Sequence, residues 1–193
     1  MITPTPPDAR LPLPWRHDRP TTVLHWTLAA LIATLAGVGW YMMAIEDDPG
    51  SRWYFDQHKS FGLVMALLVA VRIAWRAGPG TKPPEAGPLG WQDKLAKAAQ
   101  GLLYLLMVLM PLSGYLGAAY SKSGVAWFGL ATPRWALPDH DRAEWFFGVH
   151  SVLIWVLVAA VVLHVLGALK HRLIDRDNVM QRMGWGGSPP RSR

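Results

Sequence analysis

Four stretches of this chain hold too few charges to lie comfortably in water, and each is about long enough to cross a lipid bilayer, which takes roughly 20 residues. Thr21 to Ile45 has no charged residue apart from the protonatable His25, and Ala98 to Ser121 has none. Trp145 to Leu169 has only His150 and His164 as titratable groups. The fourth run, His58 to Trp75, is interrupted by Lys59 and Arg72, both near its ends, where long basic side chains reach the headgroups. A hydrophobic share of 51% against a charged share of 17% is lopsided for a soluble domain of 193 residues. The pattern predicts an all-α, integral membrane four-helix bundle with both termini cytoplasmic. Its helices are expected at about 21–45, 57–77, 95–121 and 144–172 within one domain, 21–183. A cytoplasmic segment, 1–20, precedes it, and a disordered tail, 184–193, follows.

The first apolar run is too long for the core of a signal peptide, and no small-residue cleavage pattern follows Tyr41-Met42-Met43, so it is expected to stay in the mature protein. The absence of cysteine excludes disulfides, iron–sulfur clusters, thiolate metal sites and covalently attached c-type haem. Charge sets the orientation. With the N-terminus inside, the inner segments hold fourteen basic and six acidic residues and the outer segments five and seven, so the formal +6 divides into +8 inside and −2 outside. The basic balance then reflects topology and anionic lipid, with no need for nucleic acid. Trp26, Trp40, Trp53, Trp75, Trp91, Trp127 and Trp145 fall near predicted helix ends, as an interfacial belt requires. The Pro-rich stretch from Gly78 to Gly90 reads as a cytoplasmic linker.

Of seven histidines, His25, His58, His150 and His164 lie within predicted spans, and an ionisable residue there is a functional hypothesis by default. Depth pairs them. His25 is near the inner start of helix one and His58 at the outer start of helix two. Helix four runs inward with His150 near its outer end, and His164 lies roughly 21 Å deeper at 1.5 Å per residue, on nearly the same face. His58 therefore matches His150 outside, and His25 matches His164 inside. Two imidazoles opposed at one depth suit the axial positions of a haem iron, which is then six-coordinate and favours electron transfer over oxygen binding. Ala29, Gly62, Gly148, Gly167 and Ala168 leave room nearby, although small residues also serve plain helix packing.

A lone membrane histidine is often just an interhelical hydrogen-bond partner, and the joint depth pattern is what favours haem over a zinc site or a proton relay. His17 and His140 read as solvated loop residues. His171, two turns after His164, is placed to touch a haem propionate or a quinone head. Arg72 either snorkels to lipid phosphate or pairs with a propionate, and Lys59 either snorkels or serves the propionates of the outer haem.

At this point the residues resemble the bacterial cytochrome b561 family from about Leu24 to Met183. The resemblance rests on His25-Trp26, on His58 four residues before Gly62, and on Val71-Arg72 followed by Arg76. It continues through Tyr104, Pro111 and Gly114, through Trp127-Phe128-Gly129-Leu130, and through the His150 to His164 spacing with His171, Asp177-Asn178 and Arg182-Met183 beyond it. It implies a multi-pass protein of the bacterial inner membrane with two non-covalent haem b groups on these four histidines, linked to ubiquinone. Some members resemble superoxide oxidases, and related cytochromes are membrane subunits of dehydrogenases. Glu46, Asp47, Asp48 and Asp56 would repel superoxide unless Arg52, Lys59 or Arg134 make a local positive funnel. Trp15, Trp26, Tyr104 and Trp127 are candidates for quinone contact. Two rival functions remain open: a haem-bearing subunit or partner of a periplasmic redox protein, docked through the acidic outer surface, and a non-haem proton or metal transporter.

Overall fold

A computed structural model describes residues 16–78, 90–175 and 180–184, without the side chains of Gln92, Asp93 and Gln181. The expected tail, most of the N-terminal segment, the Pro-rich linker, Trp15 and Asp177-Asn178 lie outside the described residues. Four helices run up and down: α1 (Arg19–Ala44), α2 (Ser51–Ala77), α3 (Trp91–Tyr120) and α4 (His140–Lys170). All four are long and apolar enough to cross a membrane. A small antiparallel hairpin, β1 (Ala126–Trp127) and β2 (Leu130–Ala131), sits between α3 and α4. A π-helical turn, His171–Asp175, continues α4, and a 3-10 turn, Met180–Met183, follows. The bundle thus has a hairpin end and a terminal end, the latter holding the start of α1 and the finish of α4.

Helices α2, α3 and α4 begin four to six residues before the expected starts at 57, 95 and 144. Low charge marks what lies in hydrocarbon, whereas backbone hydrogen bonding continues through the interface, where charged side chains are solvated. Arg52 and Asp56, one turn apart in the first turns of α2, pair at 3.9 Å. The connection from α1 to α2 is short because Gly50 takes φ +98°, open to glycine without strain, and Ser51 donates to the Glu46 carbonyl at 3.0 Å. At the start of α4 the Asp139 carboxylate accepts from the Arg142 N–H at 3.0 Å, while its own N–H donates to the Tyr120 carbonyl at 2.9 Å. One residue therefore caps α4 and ties it to the end of α3.

The packed interior is small and one-sided. Leu28, Met65, Val69 and Met107 are buried, with Leu31, Ile32, Leu35, Leu68 and Tyr104 against them, so the core joins α1, α2 and α3. Helix α4 packs closely on α3 and stands off from α1 and α2. Its most apolar window is 6% buried within the protein, and Val162, Leu163 and Leu166 point outward, so lipid must cover it.

At the hairpin end, Phe128 (φ +47°) and Gly129 (φ +85°) make the tight turn. Ser60, 1% exposed, fastens this hairpin to α2: its hydroxyl donates to the Asp56 carbonyl at 2.7 Å and accepts from the Phe128 N–H at 2.9 Å. Phe61 stacks edge-on against Phe128, with ring centres 5.2 Å apart. Replacing Ser60 with Ala leaves the Phe128 N–H unsatisfied and should cost about 1–3 kcal/mol. Thermal unfolding of the detergent-solubilised variant checks it, and an unchanged midpoint refutes this role.

Candidate haem sites

The four intramembrane histidines meet in two pairs. His58 of α2 faces His150 of α4 at the hairpin end, and His25 of α1 faces His164 of α4 toward the terminal end. Ring centres are 6.2 Å apart in both, with planes inclined at 83° and 68°. A metal–imidazole bond of about 2.0 Å on each side, with about 1.1 Å more from nitrogen to ring centre, would set two opposed ligands about 6.2 Å apart. The separation is too wide for direct hydrogen bonding between the rings and suits an intervening metal. Among the described residues no group of three or more His, Cys, Asp or Glu converges on a point, so a closed zinc cage is not formed there. The donor set is two imidazoles per site, the set a low-spin haem iron takes.

Each hairpin-end histidine is seated against a glycine of the neighbouring helix. A Cβ on Gly114 of α3 would lie 3.1 Å from His150 Cε1, and one on Gly39 of α1 would lie 3.3 Å from His58 Cε1. His150 Nδ1 donates to the Met110 carbonyl at 3.0 Å and lies 3.1 Å from the Ser113 hydroxyl. This contact fixes the tautomer that leaves the Nε2 lone pair free. His58 Nδ1 is buried with no partner among the described residues. A Cβ on Gly62, Gly148 or Gly167 would meet nothing within 4 Å, so the space expected beside the ligands is open. Where the standing-off of α4 leaves a gap, the residues fit a flat macrocycle gripped from both faces.

Arg72 of α2 is 9% exposed, which puts its guanidinium inside the protein and not out among lipid headgroups. It donates to the Thr21 carbonyl at 3.2 Å, approaches His25 Nδ1 at 3.5 Å, and has no carboxylate partner among the described residues. With Arg76 it brackets the Tyr104 ring at 5.8 and 5.5 Å. Thr21, Leu24, Arg72, Trp75, Arg76 and Tyr104 line a cavity at the terminal end, together with His17. His17, read from sequence as a solvated loop residue, is half-buried there, and burial together with nearby Arg76 pushes its imidazole below the usual range. Lys59 donates to Ser123 at 3.2 Å and lies 3.8 Å from Asp56, so it bridges α2 to the connection before the hairpin. His171 lies 3.3 Å from the Asp175 carboxylate within the π turn.

Of the aromatic candidates for quinone contact, Trp26 donates to the Met183 carbonyl at 3.4 Å, Tyr104 lies under the two arginines, and Trp127 is exposed on the hairpin. Sequence reasoning missed Ser113, the Met110 carbonyl and Gly39.

A four-helix membrane bundle with opposed histidine pairs defines a b-type membrane cytochrome. The model of the prokaryotic cytochrome b561 family matches residues 16–186, and the chain belongs to that family. It is 30% identical to cytochrome b561 homolog 2 of Escherichia coli (strain K12) over 178 residues, covering 88% of this chain and 92% of that one. It is 26% identical to the probable superoxide oxidase CybB of Yersinia pestis over 162 residues, 83% of this chain and 90% of that one. It is 28% identical to cytochrome b562 of Cereibacter sphaeroides, covering 86% and 94% of the two chains. This is a membrane electron-transfer protein with haem b as its cofactor.

Gly114→Val places methyl groups where the His150 ring now sits, 3.1 Å from the position of a Cβ. The variant should lose pigment at the hairpin-end pair and keep it at the other. Absorbance of the purified protein, normalised to protein mass, checks this: about half the wild-type haem is expected, and full occupancy refutes the seating role.

Proposed function

We propose that this chain holds two haem b groups, one between His58 and His150 and one between His25 and His164, and exchanges electrons with ubiquinone in the bacterial inner membrane. The observation that supports this most is the repetition of one centre-to-centre separation, 6.2 Å, at two levels of a single helix. The excess of basic residues at the terminal end supports a cytoplasmic location for both termini, with the hairpin end outside.

Bound between such ligands, haem supplies reversible one-electron transfer at an iron with no open position. The protein's part is to hold and tune. The Met110 carbonyl keeps the proton of His150 on Nδ1. Arg72 has no acceptor atom, so its approach to His25 engages the Nδ1 lone pair, whereas ligation through Nε2 places a proton on Nδ1. The two are exclusive, and Arg72 then offers its charge to a propionate, an anion that no described residue supplies at its buried position. Lys59 is the corresponding cation at the hairpin end, and His171 is a contact for an inner propionate or a quinone head.

Two electron donors have support of different kinds. Superoxide follows from kinship with a protein named as a probable superoxide oxidase. A basic redox protein, or a partner dehydrogenase subunit, follows from charge: Glu46, Asp47 and Asp48 are exposed, while Arg52 and Lys59 both flank Asp56 and make no separate positive funnel.

Pyridine haemochrome analysis should give two haem b per chain in the wild type. It should give one in His58→Ala or His150→Ala, and the other, spectrally distinct, in His25→Ala or His164→Ala. Pigment unchanged in amount and colour after loss of His150 or His164 refutes the pairing, and a colourless protein that binds zinc favours the transporter reading. For the donor, superoxide consumption by purified protein with a ubiquinone analogue should exceed that of haem-free protein, and equal rates remove superoxide.

A further inference from the structure

We propose that the cavity at the terminal end, walled by α1, α2 and α3, is the headgroup site for one anionic phospholipid. Its phosphate is held against Arg76, and its acyl chain lies along α3 past Val108 and Leu112. The wall is built by His17 and Thr21 around the start of α1, by Arg72, Trp75 and Arg76 at the end of α2, and by Tyr104 on α3. No described residue of α4 lines it, whereas the His25/His164 pair crosses from α1 to α4. The cavity is therefore a separate place from the gap between those imidazoles. Arg72 stands on the boundary: one guanidinium nitrogen approaches His25 Nδ1 at 3.5 Å, and the other donates to the Thr21 carbonyl at 3.2 Å.

The cavity is short of negative charge. Arg76, four residues beyond Arg72 and in the last turn of α2, donates to the neutral Gln100 Oε1 at 3.3 Å. Both guanidiniums lie over the Tyr104 ring, 5.8 and 5.5 Å from its centre. Three cations, Arg72, Arg76 and Arg182, and one anion, Asp18, act on His17. The Asp18 carboxylate is already engaged by the Trp75 indole N–H at 2.8 Å. Like charges gathered on one ring repel each other, and an anion set beside them replaces that repulsion with charge-assisted hydrogen bonds.

Depth and surroundings choose a lipid over a soluble anion. Arg76 closes a membrane-spanning helix, the level at which headgroup phosphates sit, and the exposed Trp75 beside it is an interfacial indole. From Tyr104 the same face of α3 continues toward the hairpin end through Val108 and Leu112, four and eight residues on, and both are exposed. A cationic pocket that opens onto an apolar track at helical spacing matches a phosphodiester followed by its acyl chain. Phosphatidylcholine carries the same phosphate with a cation beside it, which two guanidiniums disfavour, so the headgroup selected has net negative charge.

The test uses the full-length, haem-loaded protein in detergent, titrated in native mass spectrometry with phosphatidylglycerol, with phosphatidylcholine of the same acyl chains, and with inorganic phosphate. One phosphatidylglycerol per chain should bind about tenfold more tightly than phosphatidylcholine. Inorganic phosphate, which lacks the chain, should not compete mole for mole. Arg76→Gln should erase the preference between the lipids and Arg76→Lys should restore most of it, both with the haem content and visible spectrum of the wild type. Equal affinity for the two lipids, or an undiminished preference in Arg76→Gln, overturns the site. Displacement of the lipid by equimolar inorganic phosphate overturns the lipid as its occupant. Loss of haem along with lipid in Arg76→Gln assigns the cavity to the haem propionates and overturns the proposal as well.

Discussion

The bundle is organised by a gap that apolar packing does not close. Helices α1, α2 and α3 share a small core, α4 is fastened to α3, and among the described residues imidazole pairs and an indole pair cross between α4 and the other two. In water such a gap would collapse, because burial of the exposed leucines and valines of α4 would repay the movement. In lipid that drive is missing, since acyl chains solvate those side chains as well as a protein core does. A membrane helix can therefore be held at a distance, provided that something rigid fills the space between.

Holding the distance falls to small and polar groups that add little bulk. Gly114 and Gly39 let neighbouring backbones come up against the ligand rings, and the Met110 carbonyl takes the one ring proton that must be placed. Arg72 plays a different part, a permanent positive charge drawn into the protein with no acid among the described residues to meet it, which leaves it open to an anionic ligand.

The four spans and the depth pairing of the histidines were legible because both depend on periodicity and length. Fourteen residues between His150 and His164 fix a face and an axial offset whatever the rest of the chain does. Helix starts were read too late, at residue 57 for α2 against Ser51, because charge marks the edge of hydrocarbon and not the edge of a helix. The fate of Arg72 stayed open since a basic residue near a helix end has two low-energy directions, and only the packing around Thr21, His25 and Tyr104 chooses inward. Ser113 and Gly39 gave no signal, because a serine or glycine in an apolar run looks the same whether it touches a ligand or another helix. His17 was misread for a related reason: it precedes the first span in sequence, yet the fold brings it beneath Arg76.

A single helix, α4, contributes one ligand to each pair, so the two positions are not mechanically separate. On the two-haem reading, capture of a first macrocycle would pin α4 at one level and remove much of its rigid-body freedom, which would favour the second pair before its own guest arrives. The two pairs would then be coupled through the helix alone, with no contact between the two guests.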